Sequence, residues 1–250
     1  MHFLIRALYV ILIAVSLSAC VANTRQKVHY TLVEEKKAAP KKVVLLPVDI
    51  RVKELTAGGV VEEVEEWSKQ GKLAVDTSIR DLSRSTAKFE LVDLPEISDA
   101  EKKTLDEYVA LYDLVAGNAY MVTTLGGEAW KHKNKHFDYT LGEGLEFLRD
   151  KTGADSALII IGEDVVSSAG RKATFILAAA AGISIPLGHT ILYAGIVDLK
   201  TGDVLWFDHT VSMDGKDLRV VGDAKVLLDD LLKNYPGITE YRKNVVGLGN

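Results

Sequence analysis

With one cysteine, Cys20, and six histidines in 250 residues, the chain has few places for nucleophilic or metal chemistry. His132 and His136 stand four apart, a spacing that puts two imidazoles on one helix face, and Asp138 follows closely enough to complete the ligand set of a metal-dependent hydrolase. The glutamate of a His-Glu-x-x-His site is absent, and the intervening Lys133, Asn134 and Lys135 disfavour a cation, so a solvated surface loop is the expectation and no metal is expected. Asp208 and His209 suggest two members of a hydrolytic triad, with Ser168 or Ser212 as the third. Neighbours on a strand point to opposite faces, however, so Asp208 is badly placed to orient the imidazole. No Gly-x-Ser-x-Gly elbow, Gly-Lys-Ser/Thr phosphate loop or Gly-x-Gly-x-x-Gly fingerprint occurs. The expectation is a protein without catalytic residues or a cofactor. The polar group best placed to bind a partner is Asp164, Ser167, Ser168, Gly170, Arg171 and Lys172, just beyond an apolar strand, where α/β proteins put their sites. Arg171 and Lys172 suit an acidic partner; the plainer alternative is a strand end and turn with solvated charges.

Cys20 carries a different chemistry. Ahead of it lie Arg6, an almost uncharged stretch over residues 7–15, and then small residues, the layout of a secretory signal peptide and its cleavage site. The ending Leu17-Ser18-Ala19-Cys20 resembles the bacterial lipobox. That resemblance implies diacylglycerol on the Cys20 thiol, cleavage before it, and acylation of the new amino terminus. With about 0.8 kcal/mol per buried methylene, several chains anchor stably where one is marginal. Val21, rather than an aspartate, follows the cysteine, which for lipoproteins of this type implies passage to the outer membrane. An uncleaved anchor needs about 20 apolar residues, and residues 3–19 barely reach that; an incidental thiol is the other alternative.

The domain expectations follow from composition and periodicity: a signal peptide over residues 1–19, a lipidated cysteine and flexible linker over 20–42, one α/β domain over 43–237, and a loose tail over 238–250. Thirty basic and 35 acidic residues give a net charge of −5, without the basic patch a nucleic-acid partner requires. Residues 131–135 form the one cationic cluster. With Cys20 modified no cysteine remains for a disulfide, so the fold must rest on its core.

Val43-Val-Leu-Leu-Pro-Val48 reads as a first buried strand that Pro47 ends or places at an edge. Val60, Val64 and Trp67 stand at helical spacing, and the helix they start continues through Ile79 and Leu82 with an expected break at Gly71. Residues 89–92 read as a strand. Ser98 and Glu101 match a capping box ahead of a stripe made by Leu105, Tyr108, Val109, Tyr112, Val115, Ala116 and Ala119. A helix over 141–151 precedes the most apolar strand, 157–161. Residues 173–197 hold no Asp, Glu, Lys or Arg, with His189 the one imidazole, yet Gly182, Pro186 and Gly188 break the run. It reads as a short helix over 174–181 leading into a strand over 190–197, with core or interface packing preferred over a membrane hairpin. Residues 198–207 form a hairpin signal around Thr201-Gly202, and a helical stripe from Leu218 to Tyr235 ends at Pro236-Gly237.

Gly153-Ala-Asp-Ser-Ala-Leu158, Ser168-Ala-Gly-Arg-Lys-Ala173, the hairpin from Asp198 to Phe207, and Asp217-Leu-Arg219 resemble a group of proteobacterial envelope lipoproteins over about residues 98 to 236. More distantly, the lipobox, the Val-Val-Leu-Leu-Pro strand and the Asp-x-x-Thr-Gly-x-x-x-Trp hairpin resemble the curli-secretion CsgG-like and TolB amino-terminal-like domains. The resemblance implies a mixed β-sheet flanked by helices and a role in envelope assembly or secretion. Lacking alternating pore-lining strands, the chain departs from the curli channel. The expectation is therefore a protein anchored to the membrane through Cys20 that binds an envelope protein partner, with a homo-oligomer using residues 173–187 as the alternative.

Overall fold

The computed structural model describes residues 25–236, apart from residues 87 and 128. The leader, Cys20 and the tail lie outside the described residues. One mixed sheet of eight strands, its side chains alternating between two apolar layers, organises the rest. In chain order the elements are β1 (Lys27–Val28), α1 (Tyr30–Val33), β2 (Lys42–Leu45), β3 (Asp49–Leu55), β4 (Val61–Glu63), α2 (Glu65–Thr86), β5 (Glu90–Val92), α3 (Asp99–Thr123), a 3-10 turn (Lys131–Asn134), α4 (Glu146–Thr152), β6 (Ser156–Ser167), α5 (Ala169–Ala180), β7 (Gly188–Asp198), β8 (Val204–Ser212) and α6 (Val221–Leu232).

The strand order is β1-β8-β7-β6-β2-β5, with β3 also on β6 and β4 on β3. β6 is the axle. Its first residues pair in parallel with β2, from Val43 opposite Ser156 to Leu45 opposite Leu158, and its second half pairs with β3, from Asp49 opposite Ile161 to Leu55 opposite Ser167. Residues 42–55 thus follow one edge of β6, interrupted where Pro47 has no N–H to give to the ladder. β7 and β8 run antiparallel along the other edge, with Ser212 opposite Thr190. Since successive side chains alternate, Leu158 and Ile160 meet Val75 and Ile79 of α2 and Leu228 and Leu231 of α6, while Ala157, Ile159 and Ile161 meet Leu105, Val109, Tyr112 and Ala116 of α3. The result is a three-layer α/β/α arrangement.

α3 begins as its sequence specifies: Ser98 and Glu101 complete a reciprocal capping box. Four expectations need correction. The helix with Trp67 starts at Glu65, after Val61–Glu63 has paired as a strand with β3, and it does not break at Gly71. A Cβ at Gly71 would lie 3.0 Å from Val52 Cγ2 and 3.1 Å from Ile50 Cγ2, so this glycine permits close helix–sheet approach. The helix expected from 141 begins only at Glu146.

The third correction concerns residues 20–42, expected as linker. Their second half belongs to the sheet. Lys27 and Val28 pair with Phe207 and Trp206, the His29 N–H donates to the Leu205 carbonyl, and Val28 and Leu32 are buried in the core. Arg25 locks the entry: its Nε donates to Asp208 at 3.0 Å, and Nη1 and Nη2 donate to the Asp230 carboxylate and carbonyl at 2.6 and 2.7 Å. Trp206 Nε1 donates to Gln26 Oε1. Bidentate charge-assisted bonds of this kind fix a segment that has little apolar area of its own.

Residues 173–187 are not core either. α5 has no buried residue; Ile176 and Leu177 are 66% and 73% exposed, and Ile183 is 58% exposed. Among the described residues, no helix is long and apolar enough to cross a membrane.

Candidate binding cleft at the end of the central strands

β3 and β6 run in parallel and end together at Leu55 and Ser167, while β8 ends and β7 begins beside them. Beyond this end of the sheet lies a cavity of about 540 Å³ whose lining includes Glu54, Trp67, Asp164, Ser168, Lys172, residues 212–217 and Arg219. The cleft lies outside the carboxyl ends of two parallel strands, β3 and β6.

Of the six residues expected to bind a partner, Asp164, Ser167, Ser168 and Lys172 line this cleft. Asp164 is buried beneath it, accepting from Thr190 Oγ1 at 2.8 Å and from the Leu218 N–H at 2.8 Å. Burial pushes its carboxyl above the ordinary range, against the pull of those two bonds. Asp164 therefore ties β6 to the loop before α6. Ser168 caps α5, accepting from the Arg171 N–H at 3.0 Å. Lys172 is exposed at the rim.

Gly170 and Arg171 do not face the cleft. A Cβ on Gly170 would come within 3.2 Å of Ala57, so glycine allows α5 to leave against the β3–β4 turn. The Arg171 guanidinium, expected to meet an acidic partner, donates through Nε and Nη2 to the Pro186 carbonyl at 3.1 and 3.0 Å. Ser167 Oγ donates to the Leu187 carbonyl at 2.7 Å. These bonds close residues 168–187 into a hairpin built around α5.

The cleft also gathers residues that spacing could not relate. Arg219 lies over the Trp67 ring, 4.1 Å from its centroid, and grips Asp217 through Nε and Nη2 at 2.8 and 2.6 Å. Burial raises the Asp217 carboxyl, but Arg219 outweighs it and the group ends below its ordinary value; Arg219 is raised chiefly by that same bond. Lys216 pairs with Asp214 across the loop. An indole carrying a guanidinium, with anchored carboxylates beside it and Lys172 in the same lining, suits a ligand bearing both charges and a flat or apolar group, as a peptide does.

The other candidate chemistries separate. His136 stacks on Tyr30 with centroids 4.3 Å apart and pairs with Glu34, while Asp138 takes the Lys133 ammonium. Among the described residues no cluster of His, Cys, Asp or Glu has metal-site geometry. The Asp208 carboxylate accepts from the His209 backbone N–H at 2.7 Å and from Arg25, whereas the imidazole lies on the other face against Tyr120 and Phe207.

No protein-family model matches the chain, and no curated protein matches it. Among solved structures it is similar to a PelC dodecamer from Paraburkholderia phytofirmans, with 11% identity, a TM-score of 0.35 and coverage of 83% of this chain and 92% of that one. It is also similar to lipoprotein GNA1162 from Neisseria meningitidis, at 11% identity and TM-score 0.27 over 70% and 82% of the two chains. The LpoB C-terminal domain from Salmonella enterica gives 12% identity and TM-score 0.26 over 75% and 96%.

Proposed function

We propose that the protein is a lipoprotein, tethered through Cys20 to the periplasmic face of the outer membrane, that serves as a non-enzymatic accessory component of envelope assembly or secretion. It does so by binding a peptide segment of another envelope protein in the cleft between α5 and the 212–219 loop. The observation that supports binding is the Arg219–Trp67 stack, buttressed by Asp217 in a cleft that Lys172 also lines. Such a platform presents an aromatic ring and fixed charges to an incoming chain while spending little rotamer entropy on contact.

A photo-crosslinking amino acid at position 172 tests this in cells. One discrete adduct with an envelope protein is expected. It should be lost on Trp67→Ala with Arg219→Glu, and reduced on Cys20→Ser, which should also abolish lipid labelling. No adduct at position 172, or an adduct indifferent to the paired change at Trp67 and Arg219, overturns the cleft as the binding surface.

A further inference from the structure

We infer that the α5 hairpin is a membrane contact: its outer face lies in the headgroup region of the bilayer that holds the lipidated Cys20, and the domain stands on that end. The inference rests on the reading of Cys20 as the lipid anchor.

The first observation is an amphipathic helix turned the wrong way for a soluble protein. In α5 the half-buried positions are Arg171, Thr174, Phe175 and Ala178, at i, i+3, i+4 and i+7, so these face the domain. The face turned outward holds Ile176 and Leu177, and Ile183 and Leu187 extend the surface past the helix. No titratable side chain occurs from Ala173 to Gly188. A continuous apolar surface of this kind marks a contact. The hairpin is closed by Arg171 on Pro186 and Ser167 on Leu187, so it holds its shape while exposed. Twelve residues make a helix of about 18 Å, too short to cross a bilayer and suited to lying in its interface.

The second observation identifies the occupant. β1 runs antiparallel to β8, and Arg25 lies beyond it, bonded to Asp208 and to Asp230, which also accepts from Thr210. The chain before Lys27 therefore leads toward the carboxyl end of β8. That is the end where β6 passes into α5, because Ser212 is opposite Thr190 and Thr190 opposite Asp164. From Arg25 back to Cys20 are five Cα steps, at most roughly 16–18 Å. Asp208 lies four residues from Ser212, about 14 Å of strand. The acyl chains are thus held within that short reach of Arg25, and the chain leaves β1 heading toward the end of the sheet that carries α5.

Charge and exposure at this end agree with a lipid surface. Lys172, exposed in the first turn of α5, is placed to meet phosphate headgroups, and Met213, 81% exposed, stands on the adjoining loop. With the hairpin on the bilayer, the cleft opens at the membrane surface, and the partner it takes is one presented there.

The test uses the full lipidated chain. With the Cys20 sulfur acylated, Leu177→Cys supplies a free thiol for an environment-sensitive fluorophore, and Asp150→Cys supplies one at the opposite end of β6. In vesicles of phosphatidylethanolamine and phosphatidylglycerol containing a shallow spin-labelled lipid, the probe at 177 is expected to shift to the blue and be quenched, and the probe at 150 to do neither. Equal quenching at both sites, or none at 177, overturns the inference. So does a blue shift at 177 that needs no vesicles and grows with protein concentration, since that reports a second copy of the chain. Mass measurement of Cys20 in the same samples separates the two readings: an acylated chain without quenching at 177 refutes the hairpin contact alone, whereas an unacylated Cys20 refutes the anchor. A second arm needs no anchor. In the Cys20→Ser chain, Ile176→Glu with Leu177→Glu is expected to lower vesicle partitioning at least about tenfold, and unchanged partitioning counts against the contact.

Discussion

Asp208 and His209 are adjacent and both buried, and their acid–base balances oppose each other. Burial, with Arg25 and Lys27 adding to it, holds the His209 imidazole down at about 4, below the usual 6.5. The stabilisation from keeping it neutral is complete above pH 6.5 and is lost as pH falls through about 4. Asp208 runs the other way. Burial raises its carboxyl from 3.8 to about 6 despite Arg25. Its contribution is complete below about 3.8 and lost as pH rises through about 6. Each offset corresponds to on the order of 3 kcal/mol. Between pH 4 and 6 the two nearly cancel, so stability from this pair is flat in the wild-type chain. His209→Phe keeps the ring against Tyr120 and Phe207 and removes a buried Nδ1 that has no hydrogen-bond partner. Urea denaturation at several pH values checks the consequence: the variant gains stability as pH drops from 7 to 5, and the wild type does not. Asp208→Asn should show the reverse slope. At this scale the sequence was informative in part, since strand alternation alone separated the two side chains, but their burial depends on α3, α6 and Arg25, which no local pattern brings together.

Among the elements, α3 was legible because its signals are local: a capping box and a stripe at helical spacing need no tertiary partner to be recognised. β6 was legible for its apolar run, although the pattern stopped at Ile161 and the strand continues to Ser167, where β3 supplies a parallel neighbour. Gly71 misled because glycine breaks an isolated helix but also lets a helix sit close to a sheet. β1 was invisible for the opposite reason. Two residues carry no period, and only the free edge of β8 and the Arg25 bonds make them a strand. The cleft shared that difficulty: Asp164, Ser168 and Lys172 stood together in sequence, whereas Trp67 and Arg219 meet only through α2 and the loop before α6. The correction of the linker leads to a prediction at this scale. A chain beginning at Lys37 loses Val28 and Leu32 from the core and uncovers the edge beside Trp206. It should be less stable by about 3–5 kcal/mol in urea titration; stability equal to that of a chain beginning at Arg25 would show that this segment contributes nothing.

For the whole molecule, what matters in the proposed anchoring is how little chain would separate a lipid on Cys20 from the folded domain. A linker through residue 42 would have let the domain tumble far from the membrane, and the composition of residues 21–42 invited that reading. Arg25 shortens the tether to five Cα steps, and it does so by spending its guanidinium on two elements, β8 and α6, at once. On the proposed anchoring, so short a tether would bias the orientation of the domain as well as retain it, because the chain leaves β1 toward the α5 end. Lengthening the tether should separate retention from orientation. Inserting about twenty Gly and Ser residues between Ala22 and Asn23 adds a coil with a root-mean-square span of roughly 25 Å. That insertion leaves acylation of Cys20 and membrane retention intact but lowers the local concentration of the α5 hairpin at the lipid surface. Quenching of a probe at position 177 should fall in the lengthened chain, and crosslinking from position 172 should weaken with it if the partner is met at the bilayer. Full crosslinking with reduced quenching would mean that the cleft finds its partner away from the membrane, and that orientation serves only the hairpin.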